Sequence, residues 1–219
     1  MQSAHKIKGI LFDLDGVLVD ATEWHFNALN RALSLFGYSI SRYEHLSDYN
    51  GLPTRTKLQM LTVEKGLPPF LHGLIGKIKQ VYTHDEIITH CSPVFEKEYM
   101  LSRLAREGYR MAVCTNSIRT SLELMLQRSG IDGYFEFVMS NEDVRRPKPD
   151  PEIYLAAIAR MKLSPAEVMI VEDAPHGVDA AQRSGAHVCQ VRSFSDVEYF
   201  RIGSAIRDVE RSETSKCSE

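Results

Sequence analysis

The apolar run Ile10-Leu11-Phe12, with its abrupt stop at Asp13-Leu14-Asp15-Gly16, constrains the fold more than any other stretch of the chain. Three consecutive apolar residues offer no polar face to solvent. The run therefore reads as a strand covered on both sides, the condition of a strand inside a parallel sheet. Ligands of such sheets bind at the carboxyl ends of the strands, so Asp13 and Asp15 are expected in a crevice, with Gly16 turning the chain away. Asp and Gly also build ordinary turns, and taken alone the motif is equally compatible with a plain strand-end turn.

The rest of the chain supplies that strand with partners. Met111 to Cys114, Phe135 to Met139, Val168 to Val171 and His187 to Val191 read as further strands. Helical patterns separate them: one carrying Phe95, Met100, Leu101 and Leu104 and ending at Gly108, then Arg119 to Arg128 with Gly130 as its stop, Asp150 to Arg160, and Gly177 to Ser184. Alternating strands and helices predict an α/β fold with a doubly wound parallel sheet.

Between the first and second strands no strand-like alternation occurs from Ala21 to about Thr89. Asp20, three residues before Glu23, reads as a capping pair. It would open an amphipathic helix over 21–36 carrying Phe26, Leu29, Leu33 and Phe36, ended by Gly37. A second helix enters at Thr54, carries Leu58, Leu61 and Val63, and breaks at Gly66-Leu67-Pro68-Pro69. The pattern predicts a helical cap domain, 21–89, inserted into a core domain of 1–20 and 90–219. Both connections leave from the edge of the sheet that carries the first strand's carboxylates, so the insert is expected to lie over them as a lid. The last ten residues, 210–219, have almost no apolar content and read as a disordered tail.

With 219 residues, 43% of them hydrophobic, the chain can bury a sizeable core. A net charge of −3 gives no long-range attraction for nucleic acid or an acidic membrane surface, so neither is an expected partner. No stretch approaches the ~18 apolar residues of a membrane span, and no apolar signal region precedes the first strand. Cys91, Cys114, Cys189 and Cys217 are scattered, with no CxxC or metal spacing, which fits a reduced, cytoplasmic protein. No long apolar face is left unclaimed, so a monomer is expected.

Four polar clusters fall at strand ends or in the loops beyond them: DLDGV at 13–17, AVCTN at 112–116, KPDP at 148–151 and VEDAPHG at 171–177. In this order they resemble the four motifs of the haloacid dehalogenase-like phosphohydrolases, and the resemblance covers nearly the whole chain. The helical insert resembles the cap of the subgroup that includes beta-phosphoglucomutase and phosphoglycolate phosphatase-like enzymes.

The resemblance implies a magnesium-dependent phosphatase acting on a small phosphorylated metabolite, a sugar or polyol phosphate. Asp13 would be the nucleophile that forms an aspartyl-phosphate, and Asp15 the general acid and base. The Asp13 side chain, the Asp15 carbonyl and the Asp173 side chain would hold Mg2+, with Glu172 behind them. Thr115 and the Asn116 N–H would grip the phosphoryl oxygens, and Lys148 would add positive charge. A mutase of the beta-phosphoglucomutase type is the alternative, but Ala21 and Thr115-Asn116 depart from its pattern. A catalytically silent metabolite-binding module is a further alternative.

Each position has a plainer rival. Asp173 could cap the helix that follows, Thr115-Asn116 the next one, and Lys148 could share a solvated basic loop with Arg145 and Arg146. In the cap, His25, Asn50, Arg55 and Lys57 are the polar positions placed nearest the leaving group. His25 could equally lie on a solvated helix face, and Trp24 reads as packing at the hinge.

Overall fold

β1 (Gly9–Phe12) is the centre of the molecule. The structure, a computed structural model, describes residues 7–216, with side chains to residue 212. Between β1 and β2 (Arg110–Cys114) lie α1 (Thr22–Ser34), the short α2 (Arg42–Glu44), α3 (Thr54–Lys65), α4 (His72–His90) and α5 (Phe95–Arg106). Then follow α6 (Arg119–Ser129), β3 (Phe137–Met139), α7 (Glu152–Met161), β4 (Val168–Glu172), α8 (Pro175–Arg183), β5 (His187–Gln190) and α9 (Tyr199–Lys216). All strand pairs are parallel, in the order β3-β2-β1-β4-β5.

The period of two along each strand sorts its side chains between two covered faces. Ile10 and Phe12 join Met111, Val113, Met169 and Val171 on one face, under α5, α6 and α9. Leu11 joins Ala112, Cys114 and Ile170 on the other, under α7 and α8. Continuous apolar runs are thus required, because neither face meets water. A third apolar cluster, with Leu29 and Leu33 of α1, Leu58 and Leu61 of α3 and Ile75 of α4, belongs to the inserted helical cap. Trp24 of α1 packs against the sheet's cluster and stacks on His90 of α4 at 6.4 Å between ring centroids, a packing role as expected. No helix among the described residues is long and apolar enough to cross a membrane.

Several local expectations fail for identifiable reasons. Asp20 and Glu23 form no capping pair: Ala21 stands at the N-cap of α1 without a side-chain bond, and Glu23 pairs with Arg42 at 2.9 Å. A tight turn absorbs residues 14–19, with the Leu18 and Val19 N–H groups both on the Leu14 carbonyl, and leaves Asp20 one position too early. Val63 is 87% exposed, since residues two apart on a helix do not share a face and Leu61 takes the buried one. Phe95 is likewise outside the buried stripe of α5, which runs through Lys97, Met100, Leu101 and Leu104. The reading of 210–219 as a disordered tail is corrected for residues 210–216, which continue α9; residues 217–219 lie outside the described ones. Ile202 and Ile206 anchor that helix on the sheet, and extending an existing helix costs far less than starting one.

Candidate active site

Strand register decides which polar groups meet. Phe12 lies level with Val113 on one side and Val171 on the other, so Asp13 comes level with Cys114 and Glu172 and next to Thr115. The chain leaves β1 for β2 and β3 on one side and returns to β4 on the other. The crevice at that reversal is where ligands bind in doubly wound sheets.

Lys148 Nζ sits between Asp13 Oδ1 at 2.7 Å and Glu172 Oε1 at 2.5 Å, fully inside the protein. Burial works against its charge, but the two carboxylates outweigh it and hold the ammonium above the ordinary lysine range. The Asn116 side chain fixes the Lys148 main chain: its Oδ1 accepts from Lys148 N at 3.0 Å and its Nδ2 donates to Lys148 O at 3.1 Å. The same Nδ2 donates to the Gly51 carbonyl of the cap at 2.9 Å. Glu172 is engaged on both oxygens, taking Lys148 and the Tyr154 hydroxyl on Oε1 and the Asp173 and Ala174 N–H groups on Oε2. A Cβ at Gly177 would stand 1.9 Å from Oε1, so only glycine leaves room for this carboxylate.

Asp13, Glu172 and Asp173 bring one carboxylate oxygen each within 4.8 Å of one another. Asp173 Oδ1 is buried without a hydrogen-bond partner among the described residues, an orphan that a cation would satisfy. Burial first, then the Glu172 charge, push the Asp173 pKa up to about 7, with Lys148 pulling the other way. Burial also raises Asp13 well above the carboxylate range; Lys148 opposes this, and Glu172, Asp173 and Asp15 add to it. Gly16, at φ +86°, brings its backbone against Asp173, where a Cβ would stand 2.3 Å from Oδ2. An all-oxygen cluster of surplus negative charge is the donor set that Mg2+ prefers.

Asp15 faces the other way. His25 Nε2 lies 2.8 Å from its Oδ1, and Ser117 Oγ donates to Oδ2 at 2.7 Å, with Thr115 Oγ1 at 3.3 Å. Lys79 Nζ meets His25 Nδ1 at 3.1 Å. An ammonium only donates, so Nδ1 accepts and the ring proton sits on Nε2, directed at Asp15. Burial disfavours the Asp15 charge, but His25, the Ser117 hydroxyl and Lys79 outweigh it and bring its pKa to about 2. His25 itself is lowered, by burial first and then Lys79.

His25, Asn50, Arg55 and Lys57 all line one cavity of about 230 Å3 with Asp13, Asp15, Thr115, Asn116, Lys148 and Glu172. The plainer rivals do not describe this structure. Ala174, not Asp173, is the N-cap of α8, Ile118 is that of α6, neither with a side-chain cap, and Lys148 is buried.

A sequence model of the haloacid dehalogenase-like hydrolases matches residues 10–191. The chain belongs to this family. As a member it is a hydrolase, and membership of this family supports phosphatase activity. Among curated relatives of the family, a pyrophosphatase PpaX of Bacillus velezensis is 28% identical over 188 residues, 85% of this chain and 83% of that protein. A phosphorylated carbohydrates phosphatase of Thermotoga maritima is 27% identical over 184 residues, 82% of each chain. Among solved structures, a beta-phosphoglucomutase of Clostridium difficile superposes with a TM-score of 0.80 at 19% identity, covering 92% of this chain and 98% of that one. CbbY of Rhodobacter sphaeroides, in complex with phosphate, gives 0.78 at 21%, covering 86% and 87%. At these identities both structures speak for the haloacid dehalogenase-like fold.

Lys79, Ser117 and Tyr154 escaped the sequence reading of this family member. Ser117 directly follows the Thr115-Asn116 pair and was within reach. Lys79 lies on a buried stripe of α4, Ile75, Lys79, Thr83 and Ile87, and the fourfold spacing was its signal. Lys57, 6% exposed, is drawn down to about 7 by burial and then by Lys79, against the pull of Asp15. Between about 7 and the ordinary value of 10.5 the unfolded chain holds a proton that the folded chain has released at this lysine. Stability should therefore rise with pH across that window. Urea melts at pH 7 and pH 9 without phosphate should show the rise, and Lys57→Met should reduce it.

Proposed function

We propose that this phosphatase hydrolyses a small phosphorylated metabolite, a sugar or polyol phosphate, in two steps through an aspartyl-phosphate on Asp13. The observation that carries the reading is the convergence of Asp13, Thr115 and Lys148 on one cavity beside the Asp13–Glu172–Asp173 cluster. Lys148 and the Thr115 hydroxyl hold the phosphoryl oxygens while Asp13 attacks, and the leaving oxygen departs towards Asp15. The Asp13 and Asp173 side chains and the Asp15 carbonyl would hold Mg2+, which when bound supplies the charge that lets a carboxylate approach a phosphate dianion. Glu172, occupied by four donors, keeps Lys148 in place.

Asp15 rests as a carboxylate under His25 and Ser117, the form that accepts a proton from water in the second step. For the first step it must carry a proton, and the negative charge of an arriving phosphate is the influence that raises its pKa. Residues 21–89 act as the cap domain over a core of 1–20 and 90–219, and exclude water through contacts such as Asn116 to Gly51. Two relatives bear phosphatase names, in line with this reading. Buried, unpaired Cys91, Cys114 and Cys189 suit a reducing, cytoplasmic setting.

The test is a panel of sugar and polyol phosphates with Mg2+, scored for free phosphate and for isomerised product. Phosphate release that stops on chelation by EDTA and returns with Mg2+ is the expected result. Isomerisation without release would instead favour the mutase, the reading to which the likeness in fold to beta-phosphoglucomutase lends weight.

A further inference from the structure

Two lysines in the cavity share one nearby acid, Asp15, which is already engaged by His25 and Ser117. Lys57 of α3 and Lys79 of α4 are each 6% exposed, and both line the cavity. Among the described residues the Lys57 ammonium makes no hydrogen bond or ion pair, and the Lys79 ammonium meets only His25 Nδ1. An ammonium taken out of water without a partner is costly, and two side by side repel as well. A group that brings negative charge between them removes both penalties.

The surrounding charges say which part of a substrate would bring it. Lys57 feels Lys79 and Asp15, and Lys79 feels Asp15, whereas Asp13 feels Lys148, Glu172, Asp173 and Asp15. Lys79 reaches Asp15 through the His25 ring, at 3.1 Å and 2.8 Å, and Lys57 lines the same cavity beside it, which puts the pair at the Asp15 end. The transferred phosphoryl group is met at the other end by Lys148, and the group that departs past Asp15 is the rest of the substrate. A neutral polyol there would bring nothing to offset the repulsion between the two lysines, which adds to burial in drawing Lys57 down to about 7, whereas an anion would offset it.

We infer that the leaving group of the natural substrate itself bears an anionic group, a phosphate or a carboxylate, seated between Lys57 and Lys79. This rests on the phosphatase reading and narrows it: bisphosphates and phosphorylated acids qualify, and simple neutral polyol phosphates do not.

The experiment compares three phosphate esters of two-carbon alcohols with Mg2+ present: 2-phosphoglycolate, ethylene glycol bisphosphate and 2-hydroxyethyl phosphate. The expected kcat/KM is at least tenfold higher for an anionic ester than for the neutral one, and the better of the two anions tells carboxylate from phosphate. Lys57→Met and Lys79→Met should each cut that ratio by about tenfold. Binding gives a readout that does not need turnover. By calorimetry, phosphonoacetate should bind the wild type at least tenfold more tightly than ethylphosphonate, and Lys57→Met should narrow the gap. Equal ratios in the wild type, with hydrolysis intact, overturn the inference and leave the phosphatase standing. Absence of hydrolysis of all three esters overturns both. If a variant does not fold, the wild-type ratios decide.

Discussion

Asp13→Asn should abolish phosphate release, with kcat falling by about 1,000-fold or more, because an amide cannot attack phosphorus and no other carboxylate occupies its place. Asp15, two residues on, is turned towards His25 and Ser117. Glu172 is saturated by its four donors. The fold should not suffer. The Asp13 carboxylate is buried against Glu172, Asp173 and Asp15, and removing its charge relieves that repulsion while Lys148 keeps Glu172. Thermal melts without metal should place the variant at or above the wild type. A substrate that still raises the melting temperature of the inactive variant, once the wild type is seen to turn it over, separates lost chemistry from lost binding. A wild type that binds phosphate esters and turns none over would instead favour the silent binding module.

Lys148→Met should be damaging in a different way. It removes the cation between Asp13 and Glu172 and leaves two buried carboxylates facing each other, a change that costs about 3–5 kcal/mol when a buried ion pair loses one partner. For a chain of this length that is a fall in melting temperature on the order of 10 °C. Activity should vanish with it. The loss should be smaller at pH 5 than at pH 8: without Lys148 the folded carboxylates hold protons more tightly than the unfolded ones, so stability falls as pH rises. Adding Glu172→Gln to the variant should recover part of the stability and none of the turnover, which distinguishes charge imbalance from loss of packing.

How far the sequence could be read depends on what fixes each position. Asp13 and Thr115 directly follow strands, and Glu172 ends one, whose apolar runs are continuous, and parallel register then leaves them little choice but to meet. Lys148 comes from a loop, and what holds it is the Asn116 side chain, a long-range hydrogen-bond pair that no local pattern encodes. Tyr154 reads as one more core aromatic of α7, and only the fold reveals the hydroxyl on Glu172. Lys79 was hidden because its stripe on α4 mixes lysine and threonine with isoleucine, so apolar periodicity passed it by. Composition misjudged residues 210–216 because it weighed them apart from Ile202 and Ile206, which hold the helix to the sheet. Spacing misjudged Asp20, whose match to a capping pattern carried no knowledge of the preceding turn.

The stack of Trp24 on His90 marks the spot where α1 leaves the sheet domain and α4 comes back to it. A segment whose two ends sit side by side can be exchanged for a longer, shorter or differently lined one without displacing a strand. Chemistry and taste for substrate are then largely separable inheritances: a chimera carrying another relative's helices on these strands, with the histidine and lysine that hold Asp15 retained, should keep the reaction and acquire that relative's preference.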